Sequence, residues 1–312
     1  MNITIRQLNV FQAVARHLSY TDAAVELHLT QPAVFMQIKQ LESVIGLPLF
    51  ETVGKKLYLT AAGDELVWYS QIFTQQLEEM REVFASLQGI EHGTLTLSTS
   101  GTAIPFMSRL LAAFTKQHPA IKLNLNIANR AGLIHHIEAN EVDLVIMGKP
   151  PDKMNVESQS FMENPLIVIA PPEHPLTRRK NIPLVELMQN EFVVRERGSG
   201  TRIAMERFFS EHSINLRTSM ETASNESIKH AVSAGLGLGI LSIHMLELEL
   251  ITQRVAVLDV EHFPIMRHWY LVYRQGKRLS PVAQAFKEFV VQEVEKIWLL
   301  RQLCKMGGIS LR

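Results

Sequence analysis

The hydrophobic pattern of this chain changes once, near residues 88–93, and that change limits the folds open to it. Residues 1–88 carry helical periodicity almost throughout. From Gly93 onward, short apolar runs typical of strands alternate with amphipathic helical patterns. The runs lie at residues 94–98, 121–127, 142–147 and 166–170. Alternation of this kind predicts a mostly parallel sheet covered on both faces. We therefore expect a multidomain chain, all-α at its N-terminus and α/β in the remainder.

Bulk charge gives no support for nucleic-acid binding. Of the 312 residues 46% are hydrophobic and 20% are charged, and the formal net charge is zero. Residues 1–60 are only weakly basic. Five cations (Arg6, Arg16, Lys39, Lys55, Lys56) stand there against four acids (Asp22, Glu26, Glu42, Glu51). Any binding of DNA must therefore depend on where the charges lie.

Cysteine usage and hydropathy point to the cytoplasm. The single cysteine, Cys304, excludes an intrachain disulfide and a cysteine metal cluster. The first residues, MNITIRQL, lack the basic start and apolar run of a signal peptide. The longest apolar stretch, residues 231–246, is too short and too rich in glycine to span a membrane. We expect a cytoplasmic protein that has no membrane partner.

The sequence predicts three short helices near the N-terminus, and the third begins near Gln31. Val34, Ile38, Leu41 and Ile45 form its buried stripe. Two helices joined by a tight turn predict a helix-turn-helix, and residues 47–60 that follow predict a hairpin wing. The residues expected to meet DNA are Thr30, Gln31, Pro32, Ala33, Phe35, Met36, Gln37, Lys39, Lys55 and Lys56. A three-helix protein-interaction domain is the alternative.

A long helix is predicted over residues 61–87, where no proline occurs. Leu66, Phe73, Met80 and Leu87 recur every seven residues. A seven-residue apolar repeat of this length needs a partner helix. We expect dimerisation through these four residues, with packing against the same chain as the alternative.

Small polar residues lie at three predicted helix N-termini of the α/β part, where free N–H groups favour anions. The candidates are Ser100, Gly101, Thr102, Gly198, Ser199, Gly200, Thr201, Arg202, Ser224 and Asn225. Arg202 adds a guanidinium suited to carboxylate or phosphate. Ser, Thr and Gly also cap helices for purely structural reasons. The α/β part is expected to form two lobes, and these residues follow strands of both. Their positions therefore predict a cleft between the lobes that binds a small anion.

An ordered string of motifs resembles the LysR-type transcriptional regulators. It comprises Leu8-x-x-Phe11, Ser19-Tyr20-Thr21-x-Ala23-Ala24, Leu29-Thr30-Gln31-Pro32-Ala33-Val34-x-x-Gln37-Ile38-x-x-Leu41-Glu42, Gly46-x-x-Leu49-Phe50 and Leu59-Thr60-x-x-Gly63. The resemblance extends to about residue 295. Phe35 departs from a common serine, and Thr52 from a frequent arginine. We interpret both as family drift, with an altered base preference through Phe35 as the alternative hypothesis.

The resemblance implies a winged helix-turn-helix (1–60), a linker and dimerisation helix (61–90) and a two-lobed, periplasmic-binding-protein-like effector domain (91–300). Lobe I would span about 91–163 and 265–300, and lobe II about 164–264. It further implies promoter DNA as partner, a homodimer paired into a tetramer, and a small-molecule effector between the lobes. RNA polymerase is a further candidate partner.

Several strings within the family look most like the branch that regulates Calvin-cycle carbon-fixation genes. They include Asn129-Arg130, residues 143–148 (DLVIMG) and residues 198–202 (GSGTR). That branch responds to phosphorylated metabolites or nicotinamide nucleotide, so Asn129, Arg130, Met147 and Gly148 join the effector candidates. Regulation of aromatic or amino-acid metabolism is the alternative within the family.

Other chemistry finds little support in the sequence. His135 and His136 point about 100° apart on a helix and cannot readily share a metal ion with Glu138. No catalytic constellation is evident, so we expect no enzyme, no cofactor and no metal. A solute-binding protein is the alternative from another class. The segment after Trp298 is expected to be a frayed end.

Overall fold

A computed structural model describes residues 2–54, 56–87 and 93–309. Within the helix that ends at Leu87, the side chains of residues 78, 79, 81–83 and 85–87 lie outside this description. The chain divides into two compact units between Leu87 and Gln88. Among the described residues, no helix has the length and apolarity that crossing a membrane requires.

Three helices form the head of the first unit: α1 (Ile5–His17), α2 (Tyr20–Glu26) and α3 (Gln31–Ile45). Thr4 and Gln7 make a capping box at the start of α1, and the Ser19 hydroxyl accepts from Asp22 N at the start of α2. Thr30 is the N-cap residue of α3, but its side chain makes no capping hydrogen bond. Pro32, in the first turn of α3, costs no helical hydrogen bond there.

A hairpin and a long helix complete the first unit. Strands β1 (Phe50–Val53) and β2 (Lys56–Leu59) pair antiparallel, and α4 spans Ala61–Leu87. Gly63 allows α4 to begin close against the wing, because a Cβ at this position would lie 2.2 Å from the Leu49 carbonyl oxygen. Phe11, Ile38 and Leu41, at the centre of the head core, are completely buried.

The second unit contains two five-stranded sheets. The strands and helices of the first sheet's lobe are β3 (Gly93–Thr99), α5 (Ile104–Gln117), β4 (Ile121–Ile127), α6 (Arg130–Glu138), β5 (Leu144–Met147) and β6 (Val156–Glu163). Those of the second are β7 (Leu166–Ala170), β8 (Glu191–Arg195), α7 (Gly200–Glu211), β9 (Arg217–Thr222), α8 (Asn225–Ser233), β10 (Leu238–Ser242), α9 (Glu247–Ile251) and β11 (Ala256–Val257). The chain then continues through β12 (His268–Arg274), α10 (Pro281–Ile297) and α11 (Leu300–Met306).

Each sheet is mostly parallel, as predicted from the sequence, but each also contains one strand that runs against the other four. The first has the order β4-β3-β5-β12-β6, and β12 runs antiparallel to both neighbours. The second has the order β11-β7-β10-β8-β9, and β7 runs antiparallel to both neighbours. In each sheet the antiparallel strand is the first one after the chain passes from one sheet to the other, and apolar periodicity does not report strand direction.

The chain crosses between the two sheets twice, and the two crossings are hydrogen-bonded to each other. Asn164 N donates to Arg267 O at 2.7 Å, and Leu166 and Ile265 exchange two backbone hydrogen bonds at 3.0 Å. These paired crossings hold the facing ends of the two lobes together.

Residues 299–309, the described part of the segment after Trp298, include a packed helix, so the prediction of a frayed end was wrong for them. Helix α11 buries Leu303 and Cys304. Trp298 itself is buried, and its Nε1 donates to His244 Nδ1 at 2.7 Å. His244 in turn donates to Glu163 O at 2.9 Å, and burial lowers its pKa to about 4. Through these two hydrogen bonds the neutral imidazole links the end of α10 to the end of β6, where the chain first crosses between the sheets.

Candidate functional site

The exposed face of α3 is the first candidate site. Val34, Ile38 and Leu41 are completely buried, so the opposite side of the helix is fixed toward solvent. Gln31 and Pro32 are exposed at its first turn, and Met36 is 60% exposed. Thr30 is also exposed, whereas Ala33 and Gln37 are half-buried. A narrow polar and apolar face of this kind can enter a major groove and contact base edges.

Phe35 is a fixed apolar group on this face. Its ring is 41% exposed and meets the ring of Tyr20 edge-on, with 5.4 Å between centroids. Lys39 Nζ lies 5.5 Å from the same ring centroid. Neighbours on two sides therefore restrict the Phe35 side chain while leaving part of the ring open to solvent.

Glu42 connects α3 to the wing. Its carboxylate accepts from Leu49 N at 2.8 Å and Phe50 N at 3.4 Å, and it pairs with Lys39 Nζ at 2.7 Å. Burial alone would raise the pKa of Glu42, but Lys39 and the two backbone N–H groups outweigh it and lower the pKa below 4.5. Lys39 therefore helps to stabilise the head through its ion pair with Glu42, although its side chain is still partly exposed on the face of α3.

The wing formed by β1 and β2 presents one described lysine to solvent. Lys56 and Thr52 are exposed, which leaves Lys56 able to meet phosphate. Lys55 lies outside the described residues.

The linker helix α4 carries exposed apolar side chains. Phe73 is 60% exposed, Phe84 56% and Met80 46%. Leu66 instead packs, half-buried, against the core of the head in its own chain. The side chain of Leu87 lies outside the described residues. The unpartnered apolar surface thus begins after the first two turns of α4.

The second candidate site is a small cleft between the two lobes, with a volume of about 60 Å³. Ten of the fourteen residues proposed from the sequence line it: Ser100, Gly101, Thr102, Asn129, Arg130, Met147, Gly148, Ser199, Gly200 and Thr201. Six further lining residues were not singled out from the sequence: Ala128, Leu133, Arg195, Glu196, Arg267 and Trp269. The N-termini of α6 and α7 both border the cleft, so their free N–H groups favour an anion there.

The remaining four candidates do not line the cleft, and their side chains have other contacts. Arg202 bonds to Glu206 at 2.5 Å and to Arg195 O at 3.1 Å. The Ser224 hydroxyl caps α8 by accepting from Ser227 N. Gly198 lies in the turn before α7, where its φ of +86° favours glycine.

Asn225, the fourth, belongs to a hydrogen-bonded chain that joins the lobes behind the cleft. Arg195 Nη1 donates to Asn225 Oδ1 at 2.6 Å, and Asn225 Nδ2 donates to Thr102 Oγ1 at 3.0 Å. Arg195 is also paired with Glu196 at 2.7 Å. The charge of Arg195 is thereby already balanced within the protein.

Arg130 and Arg267 differ from Arg195, the third arginine that lines the cleft, because no carboxylate in the described part of the chain pairs with either. Arg130 Nη2 donates to Lys149 O and Arg267 Nη1 to Gly200 O, both at 3.0 Å. Burial lowers the pKa of both side chains. For Arg267 burial, with a smaller contribution from the charge of Arg130, lowers the pKa to about 10. Both guanidiniums remain charged at neutral pH, and the cleft keeps two uncompensated positive charges.

Trp269 adds an unsatisfied donor to the cleft wall. It is 1% exposed, and its Nε1–H has no hydrogen-bond acceptor in the residues that the structure describes. An unpaired buried donor costs about 1–3 kcal/mol. An oxygen-rich ligand would suit these surroundings.

No local sequence pattern points to Arg267 or Trp269 as residues of the cleft. They follow the second crossing and reach the cleft only because β12 inserts between β5 and β6. In the described ranges, no group of three or more His, Cys, Asp or Glu side chains could hold a metal ion.

Two family profiles match this architecture. Residues 5–64 match the bacterial regulatory helix-turn-helix protein of the lysR family, and residues 88–295 match the LysR substrate binding domain. The chain belongs to the LysR family of bacterial regulatory proteins.

Individual relatives extend the similarity over almost the whole chain. The RuBisCO operon transcriptional regulator of Allochromatium vinosum is 52% identical, covering 98% of this chain and 100% of the relative. The HTH-type transcriptional activator CmpR of Synechocystis is 46% identical, covering 95% and 97%. Among solved structures, the CcmR regulatory domain of Synechocystis PCC6803 in complex with 2-PG is 37% identical with a TM-score of 0.64. It covers 66% of this chain and 99% of that domain. The first two relatives are named as transcriptional regulators, and this chain, which has both domains of that regulatory family, is a regulator rather than an enzyme.

Proposed function

We propose that this protein regulates transcription of carbon-fixation genes and that a small phosphorylated metabolite, bound in the interlobe cleft, controls its promoter binding. The observation that carries the ligand class is a pair of guanidiniums, Arg267 largely buried and Arg130 half-buried, that no described carboxylate balances. Buried charges are normally paired, because desolvating an isolated ion is costly. A phosphate would supply the missing negative charge and accept several N–H donors at once.

The cleft's other donors favour the same ligand. Ser100, Thr102 and Thr201 bring hydroxyl groups to the lining, and Asn129 and Ser199 begin the two bordering helices. The relative CcmR carries 2-PG in its regulatory domain, which supports 2-phosphoglycolate as the first compound to test.

For promoter DNA, we propose that residues 1–60 read the major groove through Gln31, Pro32, Phe35 and Met36, with Lys56 and Lys55 on phosphate. A neutral chain gains little affinity from bulk charge, so two heads must act together. The exposed Phe73, Met80 and Phe84 of α4 support pairing of two chains through this helix. Pairing of dimers into a tetramer, as the family resemblance implies, completes the proposed assembly.

A ligand regulates DNA binding only if it binds one assembly state better than another. We infer that an anion drawn between Arg130 of lobe I and the α7 N-terminus of lobe II favours one lobe arrangement. The hydrogen bonds from Arg195 to Asn225 and from Asn225 to Thr102 lie beside that ligand. A shift of Arg195 or Thr102 on binding would therefore be transmitted between the two lobes.

The test uses the full chain and a labelled fragment of its own upstream promoter region. Isothermal titration with 2-phosphoglycolate, inorganic phosphate and benzoate measures ligand class, and fluorescence anisotropy measures DNA affinity with and without each ligand. We expect 2-phosphoglycolate to bind most tightly and to change DNA affinity about five- to 150-fold. Binding of benzoate alone would favour an aromatic-pathway regulator. Absence of DNA binding at low salt would contradict the proposal altogether.

A further inference from the structure

A larger cavity adjoins the interlobe cleft, with a volume of about 570 Å³. The two spaces are neighbours because four residues line both of them: Arg130, Gly148, Gly200 and Arg267. The larger cavity continues along the outer part of α7, whereas the cleft lies at its N-terminus.

The guanidinium of Arg267 forms the common wall. It lies against two glycines from opposite lobes, since a Cβ at Gly148 would be 3.1 Å from its Nη2 and a Cβ at Gly200 would be 3.9 Å away. Its Nη1 donates to Gly200 O at 3.0 Å. That single carbonyl leaves most of the five donors of this side chain without a partner among the described residues. An anion on either side of the wall can therefore use them.

The charges that belong to the larger cavity alone are already balanced. Lys149 pairs with Asp152 at 2.7 Å, and Arg207 pairs with Glu211 at 2.9 Å. Only the shared guanidiniums remain uncompensated, so an anionic group of a ligand would be drawn to the inner end of the cavity.

The outer end offers apolar and aromatic surface instead. Phe208 is half-buried, and its ring packs edge-on against Phe263 with 5.1 Å between centroids. Tyr270 and Ile203 also line the cavity. A ligand that fits both ends carries a phosphate or carboxylate attached to a flat apolar body.

We propose that this cavity is a second ligand site, which takes an aromatic organic anion and opposes binding of the small anion in the cleft. Both ligands would draw on the same two guanidiniums, so each weakens the other, and by linkage the two effects are equal. The existence of the second site stands independently of the cleft, whereas the coupling rests on the function proposed above.

The test uses phenyl phosphate as the probe and titrates it calorimetrically into the full chain. Ala204→Phe fills the cavity, and Ile203→Glu places a negative charge at an exposed position on its rim; both residues line this cavity and not the cleft. Thr102→Val is the matched variant, since Thr102 lines the cleft alone. Should Ala204→Phe fail to fold, Ile203→Glu still tests the site.

We expect both cavity variants to weaken phenyl phosphate by about tenfold or more, with 2-phosphoglycolate affinity unchanged within about threefold. Thr102→Val should do the reverse. Saturating 2-phosphoglycolate should weaken phenyl phosphate several-fold in the wild-type chain, and the reciprocal titration should give the same factor.

Three results would overturn the proposal. They are no binding of phenyl phosphate up to about 10 mM, loss of its binding in Thr102→Val but not in the cavity variants, and independent binding of the two ligands. If 2-phosphoglycolate does not bind at all while the cavity variants still weaken phenyl phosphate, the proposed effector is wrong and the second site stands.

Discussion

The DNA-reading head and the interlobe cleft both depend on cations, but they use them in opposite ways. In the head, Lys39 is paired with Glu42, and the same carboxylate holds the wing through Leu49 N. In the cleft, the half-buried Arg130 and the largely buried Arg267 have no described carboxylate partner. The head therefore uses its charge to stabilise itself, whereas the cleft keeps its charge available for a ligand at the expense of stability. Removing a charged group should therefore destabilise the head but not the effector unit.

The largest difference should appear in the free energy of unfolding of Arg267→Met without ligand. Removing a buried, uncompensated cation should leave the effector unit as stable as before or raise its stability, within about 1–4 kcal/mol. Urea denaturation of wild-type and variant chains, followed by tryptophan fluorescence, measures this. A large loss of stability would show that Arg267 is a structural group like Glu42 and would break the comparison.

The next largest effect concerns the exposed face of α4. Phe73→Glu should weaken self-association by about 2 kcal/mol, because an interface residue of this size carries much of the binding energy. Sedimentation velocity over a range of concentrations measures the dissociation, and DNA affinity should fall with it. Val25→Glu, another exposed apolar residue of the first unit, provides the control and should leave self-association unchanged. Equal effects of the two variants would argue against pairing through α4.

Glu42→Gln should destabilise the head by about 1.5–3 kcal/mol, the range for hydrogen bonds to a charged group. The amide oxygen can still accept from Leu49 N, but the ion pair with Lys39 is lost. Chemical denaturation at neutral pH checks the value. If the free energy of unfolding is unchanged, the ion pair between Lys39 and Glu42 does not stabilise the head.

The contribution of Glu42 to the stability of the head also depends on pH. Because the folded-state pKa of Glu42 is lowered, its contribution to stability is present above the unfolded pKa near 4.5 and is lost as pH falls through the folded value. The difference in unfolding free energy between wild type and Glu42→Gln should therefore shrink below pH 4.5. A difference that persists to low pH would contradict a depressed pKa.

The smallest effect concerns base recognition by Phe35. If its ring contacts a thymine methyl, then deoxyuridine at that position of the operator should weaken wild-type binding by about 0.8 kcal/mol, the value of one buried methyl-sized group. Phe35→Ser should bind both operators equally. Anisotropy titrations with operators substituted one thymine at a time locate the position. If no substitution distinguishes the two proteins, Phe35 reads no methyl group.

The same contrast explains how much the sequence could predict. The head is built from local signals: the stripe through Val34, Ile38 and Leu41, the cap at Ser19 and Pro32 in the first turn of α3. The cleft's helix N-termini, such as Ser199 and Thr201, were predictable because Gly and Ser before a helical pattern are local too. By contrast, Arg267 has no local signature. Its position depends on β12 inserting into a sheet whose other strands lie more than a hundred residues earlier.

Arg202 illustrates the opposite error. From the sequence it is a guanidinium at a helix N-terminus, which suits an anion. In the structure it is paired with Glu206 one turn later on α7, and it does not line the cleft. Pairing within a helix was readable from the i, i+4 spacing, but which of several arginines stays unpaired is decided by tertiary packing.

That distinction supplies the most direct test of the central claim, that uncompensated arginines of the cleft bind a phosphorylated effector. The measurement is the affinity of 2-phosphoglycolate for Arg267→Gln and Arg202→Gln, each titrated calorimetrically in the full-length chain. We predict that Arg267→Gln weakens binding about tenfold to 100-fold, as expected for losing charge-assisted hydrogen bonds, while Arg202→Gln stays within about threefold of wild type. Retained affinity in Arg267→Gln together with loss in Arg202→Gln would contradict the account.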